Sequence, residues 1–225
     1  MSGPTDWQER SHELDEASPD DTAFSIALAA MQALPLGGVI AQILSDAVPR
    51  RREQRVVAFL QDLAREWQQR REQIDHDFVR SDEFDRLAED VIDRVQTVRQ
   101  ETKHREFAAL LAGFATMIRP DDRMRGRMLE ALEATTPRQM ELLRVIATTN
   151  EPPPDLYMGS GMATLKWKLP DWPEDELRDE WSELQRHGLV SGFPGAIMTA
   201  SGAGNLQGHM TPLGRQFVVF IRTTE

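Results

Sequence analysis

Apolar residues recur at three- and four-residue spacings through much of the chain, and this periodicity constrains the fold more than any other feature. From about Arg51 to Val79 they fall at Val56, Phe59, Leu60, Leu63, Trp67, Ile74 and Phe78. Those spacings describe one face of a helix. Ser81, with Asp82 and Glu83 behind it, is an N-terminal signal for a second helix carrying Phe84, Leu87, Val91, Val95 and Val98. A third helix holds Phe107, Leu110, Leu111, Phe114, Met117 and Ile118 and stops at Pro120. Asp121 and Asp122 start a shorter one with Met124, Met128, Leu129 and Leu132. Long periodic helices joined by short polar breaks predict a helical bundle over residues 23–134.

The texture changes at Thr135-Thr136-Pro137, where a threonine cap and a first-turn proline begin a helix with Met140, Leu143 and Ile146 inward. Residues 150–154 form a proline-rich loop. Leu165 to Leu169 reads as a short strand, and Pro173 to His187 as a helix with Gly188 as its left-handed cap. Leu189–Phe193 and Ala196–Ala200 favour extended chain, Ser201–Gly208 a flexible glycine-rich tip, and Thr211-Pro212 opens a last helix with Phe217, Phe220 and Ile221. Helix, helix, then a hairpin with a glycine-rich tip is the order of a winged helix. The phrases Glu183-Leu184-Gln185-Arg186-His187-Gly188-Leu189-Val190 and Met210-Thr211-Pro212-Leu213-Gly214-Arg215-Gln216-Phe217 resemble the end of a recognition helix and, beyond the wing, the closing helix of that fold. The resemblance covers roughly residues 135–223. The expected fold class is therefore mainly α, an N-terminal helical bundle followed at 135–225 by a winged-helix domain with a small β-hairpin.

Two segments precede the periodic helices. Residues 1–22 carry seven acidic side chains against Arg10 alone, a composition that predicts a disordered tail and no secretory signal. Ala23 to Ser45 contains no charged residue. A membrane span needs about 20 predominantly apolar residues. Here Pro35-Leu36-Gly37-Gly38 breaks the run into halves of about 17 Å of helix each, too short to cross alone. Two short helices buried against the bundle are the plain reading. Membrane contact through Leu36 and Ile40, flanked by Arg50, Arg51, Arg52 and Arg55, is the alternative. The phrases Leu34-Pro35-Leu36-Gly37-Gly38, Val48-Pro49-Arg50-Arg51-Arg52 and Lys103-His104-Arg105-Glu106-Phe107-Ala108-Ala109-Leu110-Leu111 resemble a group of bacterial helical proteins that includes the Abi-alpha type. That resemblance implies a link to abortive infection against phage, and no catalytic residues to carry over.

Chemistry is bounded mainly by exclusion. The 225 residues include 26 Lys and Arg against 37 Asp and Glu, a formal net charge of −11, so the basic footprint of a nucleic-acid binder is missing. With no cysteine there is no disulfide, thiolate zinc site, iron–sulfur cluster or Cys nucleophile. Glu72, Asp75, His76 and Asp77 lie close in sequence, and Glu101 with His104 forms one E-x-x-H. A di-metal carboxylate bundle wants a second, and solvated helix faces explain these residues. Gly202, Gly204 and Gly208 are one residue too widely spaced for a dinucleotide loop. No metal, cofactor, catalytic residue or enzyme activity is expected.

The winged-helix resemblance invites DNA binding through Lys166, Lys168, Arg178, Arg186 and Arg215. Against it, the candidate reading helix and its approach carry Asp171, Glu174, Asp175, Glu176, Asp179, Glu180 and Glu183, which a phosphate backbone repels unless they all point away. The expected function is a non-enzymatic interaction or regulatory protein, cytoplasmic, acting through a protein partner or self-association. DNA-binding regulator and membrane-perturbing effector through residues 23–45 are the alternatives.

Overall fold

The computed structural model describes residues 53–98 and 101–221. The acidic tail, the uncharged run with Leu36 and Ile40, and Arg50, Arg51 and Arg52 lie outside the described residues. The chain is mainly helical, with one small antiparallel sheet of two strands among the described residues. It divides between Met117 and Ile118 into two compact units.

In the first unit, α1 (Glu53–Gln69) packs along α4 (Glu101–Phe114), and α3 (Asp82–Thr97) lies against both. Val56, Phe59, Leu60, Leu63 and Trp67 form the buried stripe of α1. It meets Phe84, Val91 and Val95 of α3 and Phe107, Leu110, Leu111 and Phe114 of α4, all buried. Trp67 and Phe78 both set their rings edge-on to Phe84, at 6.2 and 5.5 Å. Ser81 caps α3 as its sequence predicts, its Oγ accepting the Phe84 N–H.

The helix predicted over 51–79 is in fact two elements. α1 ends at Gln69, and α2 (His76–Val79) starts afresh, its cap Asp75 accepting the N–H groups of Asp77 and Phe78. Between them Ile74 bridges Thr116, with Asp75 N–H donating to the Ala115 carbonyl and Met117 N–H to that of Gln73. This bridge draws the chain out of α4 after Phe114. Met117 and Ile118, expected within this helix, therefore lie beyond its end and are exposed.

The second unit opens with α5 (Asp122–Ala134), capped by Asp121, and α6 (Pro137–Thr148). α5 thus stands with the C-terminal elements, upstream of the 134/135 division drawn from sequence texture. Thr136 and Gln139 form a reciprocal capping box at the start of α6, and Met140, Leu143 and Ile146 point inward. β1 (Met158–Gly159), α7 (Gly161–Lys168), α8 (Glu174–Arg186), β2 (Met198–Thr199), α9 (Ala200–Gly204), a 3-10 turn at Leu206–His209 and α10 (Pro212–Ile221) follow. α6 packs on α8, α7 on both, and α10 on α5 and α6. Their core holds Leu142, Leu165, Leu177, Trp181, Leu184, Leu206, Leu213 and Phe217.

Two sequence expectations fail here. Leu165–Leu169 is not a strand but the end of α7 and its cap, started by Ser160 accepting the Ala163 N–H. Ser201–Gly208, expected as a flexible glycine-rich tip, instead forms most of α9 and the 3-10 turn, capped by Thr199 and Asn205. The sheet accordingly joins β1 to β2, with Met158 opposite Thr199 and Gly159 opposite Met198. In the expected hairpin region, Val190 makes a single antiparallel bridge to Met210.

Candidate functional site

The predicted reading helix is α8, and its end is built as its sequence implies. Gly188 is left-handed at φ +71°. Its N–H donates to the Gln185 carbonyl and that of Leu189 to Leu184, the two bonds of a Schellman cap. Leu177, Trp181 and Leu184 face the core. Trp181 Nε1–H donates to the Gly192 carbonyl at 3.1 Å, and its ring packs edge-on against His209 at 5.2 Å. The loop after α8 is thereby tied to the helix at both its ends.

Each cation proposed for DNA contact is occupied within the protein. Lys166 Nζ donates to the carbonyls of Pro170 and Trp172 at 2.7 and 2.6 Å, closing the turn between α7 and α8. Lys168 Nζ sits 4.1 Å from the centre of the Trp167 ring. Arg178 pairs with Glu174 at 2.5 Å and lies over Phe193, while Arg186 pairs with Glu183. Arg215 donates to the Met210 carbonyl at 2.6 Å. Two of these partners, Glu174 and Glu183, lie on α8 itself and the others elsewhere in the unit, and no partner is shared by two of the five cations. Arg55, from the proposed anionic-surface cluster, instead donates to the Gln96 carbonyl, binding α1 to the end of α3.

The acids of α8 divide by direction. Glu176 pairs with Arg138 of α6, whose guanidinium also covers the Trp172 ring at 4.2 Å, and Glu180 accepts from Gln139 Nε2. Asp171, Asp175 and Asp179 are exposed and, among the described residues, have no ion-pair or side-chain hydrogen-bond partner. Asp175 and Asp179 stand one turn apart on the same face. The outer surface of α8 is therefore acidic.

Beside it lies a feature that sequence patterning does not single out. Tyr157, Met158, Phe193 and Ile197 are 90, 67, 58 and 77% exposed around the two short strands. No alternation marks them, because each strand is only two residues long. A concavity of about 300 Å³ between α5 and the end of α8 is lined by Arg127, Glu130, Arg186 and His187 among others, with both charge signs present. Among the described residues no group of three or more His, Asp or Glu is placed to hold a metal ion. None of the described helices is long and apolar enough to cross a membrane. The chain matches no protein-family model, no curated protein and no solved structure.

Proposed function

We propose that the second unit is a winged-helix-type module that contacts protein rather than DNA, in a non-enzymatic protein whose first unit is a helical bundle. The element order supports the winged-helix reading: helix, short strand, helix, turn, helix, then a segment that carries β2, α9 and the 3-10 turn above the Val190–Met210 bridge, and a closing helix. The observation that carries the choice of partner is the outer face of α8. It presents Asp175 and Asp179 without counter-charges, with Asp171 likewise unpaired in the turn just ahead of the helix, while Lys166, Lys168, Arg178, Arg186 and Arg215 are all engaged. A helix seated in the major groove lies beside about one phosphate charge per 1.7 Å of duplex axis, and uncompensated carboxylates there are repelled. As to biological setting, the Abi-alpha resemblance supports bacterial phage defence.

The test is a fluorescence anisotropy titration of labelled duplex DNA with the full chain at low salt. A flat titration is expected. Binding that weakens as salt rises would return the DNA-regulator reading to the front.

A further inference from the structure

We infer that the exposed apolar side chains around β1 and β2, together with the carboxylates of α8, form a docking surface for a basic, apolar-containing segment of a partner protein. This deepens, and rests on, the reading that the second unit contacts protein.

The apolar residues belong to one place. Residues 193–199 run antiparallel to 158–162. The Met162 N–H donates to the Pro194 carbonyl at 2.8 Å, Gly159 pairs with Met198, and Met158 pairs with Thr199. Directly opposite residues of paired strands share a face, as Met158 and Thr199 do, and the exposed Ile197 immediately precedes β2. Phe193 immediately precedes Pro194 and touches α8, its ring 5.6 Å from the Arg178 guanidinium. The backbone that displays it is fixed, because Trp181 holds the Gly192 carbonyl and Ser191 N–H donates to that of His209. Large apolar side chains grouped in water on a fixed backbone mark a surface that another molecule covers. A preformed surface also loses little entropy when it binds.

Charge selects the occupant. Arg178, the cation beside Phe193, is already neutralised by Glu174, whereas Asp175 and Asp179 on the same helix are not neutralised. A second copy brings the same carboxylates and a net charge of −11, and residues 1–22 bring seven acids to one arginine. Both are repelled, as are duplex DNA and anionic lipid. A segment with lysines or arginines flanking aliphatic or aromatic side chains matches both halves of the surface.

The experiment pans a phage-displayed random peptide library against the full chain and measures the selected peptides by fluorescence anisotropy. Selected peptides are expected to be net positive and to carry apolar side chains. Their affinity should fall about tenfold or more in Phe193→Asp/Ile197→Asp and in Asp175→Lys/Asp179→Lys, and should fall with salt. All four substituted side chains are exposed, and circular dichroism of each variant checks that the fold is kept. Neutral or acidic selected peptides, selection of none, or binding unchanged in both double variants would overturn the proposal. A wild-type dimer in sedimentation that Phe193→Asp/Ile197→Asp dissolves would also overturn it, making a second copy the occupant. Each of these leaves protein contact elsewhere on the module standing; that broader reading falls separately, if the unmodified chain binds duplex DNA.

Discussion

Gly214 and Gly126 both sit inside helices, yet they do opposite things there. A Cβ on Gly214 would meet the Leu189 carbonyl oxygen at 2.0 Å and the carbonyl carbon at 2.9 Å, backbone atoms that no rotamer change moves away. The close approach exists because Leu189 O accepts the Thr211 N–H at 3.1 Å, docking the start of α10 directly on the strand-like segment after α8. A Cβ on Gly126 would meet nothing within 4 Å. Gly214→Ala is therefore expected to cost about 3 kcal/mol by overpacking. Gly126→Ala is expected to add about 0.5–1 kcal/mol by removing backbone freedom from the unfolded chain. Urea denaturation midpoints should move in opposite directions, and an unchanged midpoint for Gly214→Ala would contradict the docking of α10 on Leu189. At this scale, legibility depends on locality. Gly188 reads as a helix cap because the cap is built from neighbours in sequence. Gly204 reads as part of a flexible tip, but its role depends on the distant Pro152, whose backbone nitrogen lies 2.4 Å from where a Cβ would be.

Among elements, starts read better than lengths. Ser81, Asp121 and Thr136 each cap the helix that their sequences announce. Thr136 Oγ1 accepts the Gln139 N–H at 3.1 Å, and Gln139 Oε1 accepts the Thr136 N–H at 2.9 Å. Thr136→Ala should cost about 1 kcal/mol and Thr136→Ser much less, since serine keeps the acceptor oxygen. Equal urea midpoints for the two variants would show that the cap contributes through packing and not through this bond. Where the periodicity is ambiguous, tertiary burial decides. Leu165-Lys166-Trp167-Lys168-Leu169 alternates with period two and so reads as a strand. Met162, Leu165 and Leu169 also stand at helical spacing, and all three are buried, so the core selects helix and leaves the lysines outside. The break after α1 is hidden for a related reason. The six residues Gln68–Gln73 are all polar, and a face drawn through them to Ile74 rests on no apolar position. The apolar docking surface is illegible because it is assembled from two segments about 40 residues apart, in strands too short to show alternation.

At the scale of the whole molecule the decisive quantity is the sign of the field around α8. The chain's net charge of −11 is visible in its composition, but composition does not say which acids meet counter-charges. Glu174, Glu176, Glu180 and Glu183 meet cations or amide donors, whereas Asp171, Asp175 and Asp179 face water. If those three carboxylates are what keeps a winged-helix-type module off nucleic acid, reversing them should admit it. Asp171→Lys/Asp175→Lys/Asp179→Lys leaves the Arg178–Glu174 pair and the buried face of α8 untouched. The variant should therefore fold like the wild type. It should acquire duplex-DNA binding in the non-specific range, roughly 10⁻⁴–10⁻⁶ M at physiological salt. The logarithm of its affinity should fall against the logarithm of salt concentration with a slope of about −0.9 per phosphate contacted. The same substitutions should abolish binding of any basic peptide selected by the wild type, because one set of charges governs both. A folded triple variant that ignores DNA at low salt would mean that α8 is not presented as a groove-reading helix. The winged-helix reading would then lose its support, while the acidic and apolar surface would keep its claim on a basic partner.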